Sequence, residues 1–190
     1  MLEAPFFLSA GLLVASGVAK LVRPAPAASA LRSAGFRGGR PAAGITGLIE
    51  VVAGGLALWR PGVLTAGAVA LLYVAFAAFL VRLLRRGGAS TCGCLGGRDV
   101  PPSALHVALD LVAAAVAGSV AAWPVSGLAT VIAASPAAAV PLVVGLVGAG
   151  ALLIVAVAEV PPAWSAYRPA HDEHAAASAG PRPIALERPR

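Results

Sequence analysis

Two cysteines, Cys92 and Cys94, stand close together in the chain with only Gly93 between them. A disulfide between them would close a very small ring, which predicts a strained bond that is easily reduced. Basic residues on both sides, including Arg86 and Arg98, favour the thiolate, the reactive form of cysteine. The pair therefore fits disulfide exchange better than a structural staple. A soft-metal site with further ligands and cysteines without a role remain open alternatives.

Four ionisable residues lie within apolar stretches, where a charge is costly and indicates function by default. They are Lys20, Glu50, His106 and Asp110. Lys20 and Glu50 suggest either an ion pair that sets helix register or groups that relay protons for a redox site. His106 and Asp110 share a helix face at a spacing of four residues. They suggest either an orienting hydrogen bond within one helix, or a base that assists thiolate formation or contacts a quinone-like molecule.

The other polar residues suggest simpler roles. Tyr73 is expected to pack in the third apolar run. His171 and His174 could touch a metal, but no third ligand accompanies them, so we predict no metal site.

The composition excludes most soluble classes of protein. Of the 190 residues, 59% are hydrophobic and 12% are charged, against about 45–50% and about 25% in soluble domains. The mean hydropathy is +0.88. The formal net charge of +6 comes mostly from arginines that flank apolar runs and are not interleaved with aromatics. We therefore expect a lipid bilayer, and no nucleic acid, as the partner of this surface.

Five apolar runs are long enough, or nearly so, to cross a bilayer as helices. Helices are expected because backbone polar groups in lipid must be hydrogen-bonded internally. The predicted spans are Pro5–Val22, Ala42–Trp59, Gly62–Leu84, Ala104–Trp123 and Ala137–Val160. The predicted fold class is an all-α polytopic membrane protein with a four-helix core and a fifth transmembrane helix. The core covers residues 1–123, the extra loop and helix cover 124–160, and a disordered tail covers 161–190.

The span ends carry recognisable signals. Arg60-Pro61-Gly62 predicts a tight turn that makes spans two and three an antiparallel hairpin, and Ser103 is a natural N-cap for span four. Trp59, Trp123 and Trp164 are placed as interfacial anchors.

Arginine placement predicts the orientation. The first loop holds four arginines and the third holds three, whereas the second holds only Arg60 and the fourth holds none. The positive-inside rule puts the first and third loops in the cytoplasm, with the N-terminus outside and the C-terminus inside a cell (inner or plasma) membrane. Glu3 and the lack of a basic residue near the N-terminus argue against a cleaved signal peptide.

The order of these features resembles the MauE family, methylamine utilisation proteins within the wider DoxX-like membrane proteins. The resemblance covers about residues 5–120 and is carried by Gly17-Val18-Ala19-Lys20-Leu21, a helical-looking stretch at Ala27–Phe36, Glu50, Cys92-Gly93-Cys94-Leu95-Gly96, His106 and Asp110. It implies a four-helix membrane core, a role in redox maturation and a thioredoxin-like partner. MauE is linked to making methylamine dehydrogenase, whose small subunit is rich in disulfides, and DoxX relatives to thiol homeostasis.

Two departures from the family pattern favour a general redox-associated homologue. Leu95 stands where members often have Phe, and His106 and Asp110 stand where members often have an Arg-Asn pair. A cytoplasmic position of the cysteines also conflicts with disulfide formation in an exported enzyme, and we follow the charge rule.

We therefore predict a thiol–disulfide redox protein in which Cys92 and Cys94 are the exchange pair. The groups that would position the thiols or relay protons are Lys20, Glu50, His106 and Asp110. No cofactor motif is present, and a lipid quinone is a candidate acceptor. The alternatives are a small transporter subunit that uses Glu50 and Asp110, and a structural membrane subunit with incidental cysteines.

Overall fold

The protein is a bundle of apolar α-helices. The computed structural model describes residues 2–86, 103–137, 140–156 and 159, and these contain no β-strand. The helices, in chain order, are α1 (Glu3–Val22), α2 (Pro24–Ser33), α3 (Gly39–Trp59), α4 (Val63–Arg86), α5 (Ala104–Ala122), α6 (Leu128–Ala134) and α7 (Val140–Ala156). Helices α1, α3, α4 and α5 are each long and apolar enough to cross a membrane. The predicted all-α fold with a four-helix membrane core is confirmed.

The structure differs from the predicted spans at their boundaries. Helix α3 begins at Gly39, three residues before the predicted span, because Pro41 is tolerated in a first helical turn. The helical-looking stretch in the first loop is α2, which begins earlier, at Pro24, and ends at Ser33. The fourth loop contains the short helix α6, and α7 is a shorter apolar helix inside the predicted fifth span.

Helices α1 and α3 pack antiparallel and very close together at glycines. A Cβ atom added at Gly17 would lie 2.5 Å from the backbone oxygen of Gly47, and one at Gly54 would lie 2.7 Å from that of Ala10. Small residues at a helix interface allow such an approach of two backbones. The close approach places Glu50 of α3 against the last turns of α1.

Larger side chains fill the rest of the bundle core. Helices α4 and α5 pack against each other and α1 contacts α5, while the Arg60–Gly62 turn brings α4 back beside α3. The core contains Phe6, Phe7 and Leu13 of α1, Val69 and Tyr73 of α4, and Val120 of α5. Tyr73 packs in the core as predicted.

The first loop and the arginine-rich end of α4 are in contact. Arg82 of α4 donates a hydrogen bond from Nε to the backbone oxygen of Ala34, which follows α2, at 2.7 Å. Its guanidinium also lies 4.9 Å from the centre of the Phe36 ring. The first loop and the end of α4 are therefore at the same end of the bundle, as the hairpin order predicts.

Candidate functional site

A buried ion pair joins α1 and α3. Lys20 Nζ donates to Glu50 Oε2 at 2.7 Å, and the exposed fractions of the two side chains are 8% and 0%. Side chains on a helix tilt toward its N-terminus. Because α1 and α3 are antiparallel, Lys20 leans into the bundle and Glu50 leans back toward the arginine-rich end, so the two meet. The predicted contact between Lys20 and Glu50 is present.

The ammonium of Lys20 has further partners. Nζ donates to Ser16 Oγ at 2.5 Å and lies 5.3 Å from the centre of the Phe76 ring. An ammonium has three N–H donors, and two of them are used by Glu50 and Ser16. The third remains for the aromatic face of Phe76 or for another acceptor.

The carboxylate of Glu50 is only half satisfied. Its Oε1 atom is buried and has no hydrogen-bond partner among the described residues. Buried polar atoms normally have a partner, and an orphan in a native fold calls for an explanation. The ion pair therefore leaves an acceptor inside the bundle.

His106 and Asp110 on α5 do not form the predicted hydrogen bond within the helix. His106 Nδ1 lies instead 2.6 Å from Oγ of Ser103. Ser103 is the N-cap residue, as predicted, and a side chain at that position reaches the residue three positions later. The interpretation of His106 and Asp110 as a hydrogen-bonded pair is wrong. Within the part of the chain that the structure describes, the Asp110 carboxyl makes no hydrogen bond or ion pair.

A cavity of about 470 Å³ lies beside these groups. Side chains of α1, α2, α3, α4, α5 and α7 form its wall, and most of them are aliphatic or aromatic. Its polar side chains are Ser9, Ser16, Lys20, Thr46, Tyr73, His106 and Asp110. The structure therefore brings three of the four predicted ionisable residues to one cavity, whereas Glu50 lies behind Lys20 and outside its wall.

Three of the hydroxyl groups in the cavity wall donate hydrogen bonds to backbone oxygens. Tyr73 Oη donates to the backbone oxygen of Ser9 at 2.7 Å. Ser9 Oγ and Thr46 Oγ1 donate to the backbone oxygens four residues earlier, at 2.8 Å and 2.9 Å. These three hydroxyls have therefore used their donors, and the ionisable side chains of the wall are Lys20, His106 and Asp110.

Several predicted residues lie outside the described residues. Cys92, Cys94 and Trp164 are among them, as are His171 and His174 of the tail. The described residues contain no group of three or more His, Cys, Asp or Glu that could hold a metal. Trp59 and Trp123 are described, and both are mostly exposed at the ends of α3 and α5.

The sequence interpretation missed the residues that make the site possible. Gly17, Gly47 and Gly54 set the distance between α1 and α3, and Phe76 faces Lys20. A signal was present, because Gly47 and Gly54 are seven residues apart and so lie on one face of a helix. Which helix they would approach depends on the tertiary fold.

The chain was compared with known proteins in three ways. The sequence model of one family, described as methylamine utilisation protein MauE, matches residues 1–125, about two thirds of the chain. No curated protein and no solved structure matches. The match includes α1 to α5, and with them the ion pair and the α5 wall of the cavity.

Proposed function

This chain belongs to the MauE family of multi-pass membrane proteins, and we propose that it exchanges thiols and disulfides through Cys92 and Cys94. The observation that carries this proposal is the place of the pair in the chain. The cysteines follow α4 and precede α5 in the chain, and α4 ends with Arg85 and Arg86. Positive charge near a cysteine favours the thiolate that attacks a disulfide.

The ionisable side chains at the same end would manage charge and protons. Oxidation of two thiols to a disulfide releases two protons as well as two electrons. Asp110 and His106 are half-buried and Asp110 has no partner within the described residues, so both are candidate acceptors for those protons. Lys20 and Glu50 neutralise each other. Their paired charges would stay fixed while Asp110 or His106 takes up or releases a proton.

The partner that we propose is a thioredoxin-like protein, which would pass on the disulfide or receive it. The family name points to methylamine utilisation, and the exported enzyme of that process would be a substrate if the cysteines faced the outside. The charge rule puts the arginine-rich end in the cytoplasm. The exchange would then take place on that side, and electrons would move to or from a carrier in the membrane.

The direct test is to measure the state of the two thiols in the full-length chain. The chain has two cysteines, so each mass tag that a maleimide adds reports on one of them. We expect no tag after mild oxidation and two tags after reduction. A thioredoxin-like protein that lacks its resolving cysteine should be trapped as a mixed disulfide by Cys92→Ser or by Cys94→Ser.

The control variant is Ser90→Ala, which changes the same segment and keeps both thiols. It should titrate like the unchanged chain. Thiols that stay free under oxidising glutathione, or a trap that forms equally well with the double serine variant, would contradict the proposal. A membrane-impermeant maleimide on intact cells would also report the side, because an external disulfide is tagged only after reduction.

A further inference from the structure

The cavity beside Lys20 and Asp110 has the size and wall of a ligand site. Its volume of about 470 Å³ lies in the range of about 300–1,000 Å³ that small-molecule sites occupy, and such sites combine apolar walls with a few placed polar groups. Val112 is part of the wall and is 60% exposed on the bundle surface. The cavity therefore reaches the face of the protein that lipid would cover.

The charges in the wall select against an ionic ligand. Lys20 and Asp110 both line the cavity. An anionic ligand that approached Lys20 would find its charge already paired with Glu50 and would also meet the Asp110 carboxyl. A cationic ligand that approached Asp110 would also meet the ammonium of Lys20. A neutral molecule avoids both repulsions and gains from burial against the apolar wall.

The hydrogen-bonding groups that remain in the cavity wall determine which polar head group a ligand can have. Lys20 has one N–H left after Glu50 and Ser16, and it can donate to a carbonyl oxygen. The Asp110 carboxyl and His106 Nε2, on α5, can each donate or accept according to protonation. The rings of Phe36, Phe76 and Phe79 in the wall suit a flat conjugated ring.

We propose that this cavity binds a lipid quinone. A quinone is neutral and flat and carries an apolar tail. Its two ring oxygens accept hydrogen bonds in the oxidised form and donate them in the reduced form. Lys20 would bind one ring oxygen, and Asp110 or His106 would bind the other. The binding site is built entirely from described residues and does not need the cysteines.

Only the redox role of the bound quinone rests on the proposed function. If the thiols exchange disulfides, the quinone is their two-electron acceptor. Two S–H bonds break and one S–S bond forms, while the two ring oxygens take up two electrons and two protons to give the quinol. Asp110 and His106 would then deliver those protons to the ring oxygens.

The test is a binding titration of the full-length chain in lipid nanodiscs with a fully substituted benzoquinone that carries a decyl tail. The Cys92→Ser/Cys94→Ser variant is used as well, since quinones can add covalently to thiols. We expect saturable binding to both proteins. Tetraphenylphosphonium and dodecanoate serve as cationic and anionic probes of similar apolarity, and they should compete poorly.

Two alanines of α5 that are two positions apart give a matched pair of variants. Ala113 lines the cavity, whereas Ala115 is exposed and outside its wall. Ala113→Phe should weaken quinone binding at least tenfold, and Ala115→Phe should leave it unchanged. Asp110→Leu, which keeps the size of the side chain, should also weaken binding about tenfold. The helical content and melting of each variant are measured alongside.

The outcomes separate this inference from the proposed function. Equal binding to the Ala113→Phe and Ala115→Phe variants, tighter binding of either ionic probe, or binding that disappears with the cysteines would overturn the quinone site. Saturable binding that Ala113→Phe removes supports it, even if the thiols prove inert. Thiol exchange that persists without quinone binding would leave the proposed function in place and overturn only the site.

Discussion

The α1–α3 interface and the space between α1 and α5 handle buried charge in opposite ways. At the first, glycines bring two backbones into contact, and Lys20 and Glu50 form a 2.7 Å ion pair with almost no exposure. At the second, side chains of six helices surround a cavity of about 470 Å³. Asp110 faces that cavity without a partner among the described residues.

The two regions treat buried polar groups differently because one is closely packed and the other contains a cavity. A closed interface stabilises charges only when each meets its counterpart, so it suits a fixed pair. An open cavity leaves polar groups without a partner, and the cost of their desolvation is tolerable because they are only half-buried. The four predictions below test this contrast, beginning with the largest expected effect on stability.

Removing one member of the ion pair should have the largest effect. Glu50→Leu leaves the ammonium of Lys20 buried without its counterion, and we expect a loss of about 3–5 kcal/mol in the free energy of unfolding. The measurement is reversible unfolding in mixed micelles. The Lys20→Met/Glu50→Leu variant removes both charges and should recover most of the loss. A double variant as unstable as the single one would contradict this account of the interface.

Two adjacent glycines test the close approach of α1 and α3. A Cβ at Gly54 would lie 2.7 Å from the backbone oxygen of Ala10, whereas one at Gly55 would meet nothing within 4 Å. Gly54→Ala should therefore cost about 1–3 kcal/mol, as overpacking does. Gly55→Ala should be neutral or slightly stabilising, since alanine favours a helix. Equal melting temperatures for the two variants would show that the helices can separate freely.

The hydroxyl of Tyr73 ties α4 to α1 across the cavity, at 2.7 Å from the backbone oxygen of Ser9. Tyr73→Phe should cost about 0.6 kcal/mol, the average for a hydrogen bond between membrane helices. The same cost is expected in a Ser9→Ala background, because the acceptor is a backbone atom that this change keeps. A cost that vanishes there would assign the effect to the Ser9 side chain.

Asp110→Asn should have the smallest effect on stability. Asp110 has no hydrogen bond or ion pair among the described residues, so the expected change is within about 0.5 kcal/mol, as at other positions without a specific partner. Its unfolding is measured beside that of Glu50→Gln, the same change at the closed interface. A loss at Asp110 as large as the loss at Glu50 would mean that Asp110 also has an essential structural partner.

The agreement between sequence and structure has a physical basis in the helices. The four main spans follow from runs of about twenty apolar residues, and lipid allows such runs few conformations other than a helix. The pairing of Lys20 with Glu50 was one of two interpretations of two intramembrane charges, and the structure shows the contact. Of the two interpretations of His106 with Asp110, the hydrogen bond within the helix was wrong, because a helical spacing of four permits a contact without favouring it over the nearby Ser103.

The sequence by itself determined that the chain is an all-helical membrane protein and that the first loop and the end of the third span lie at the same end of it. Hydropathy and chain order depend only on local composition and on the thickness of a bilayer, so no tertiary information is needed for either. Only the tertiary structure decided that Gly17 and Gly47 meet, that Lys20 is closed off with Glu50, and that Asp110 opens onto a cavity. Those outcomes depend on which helix faces pack together, and that choice is made by side-chain shapes on helices distant in the chain.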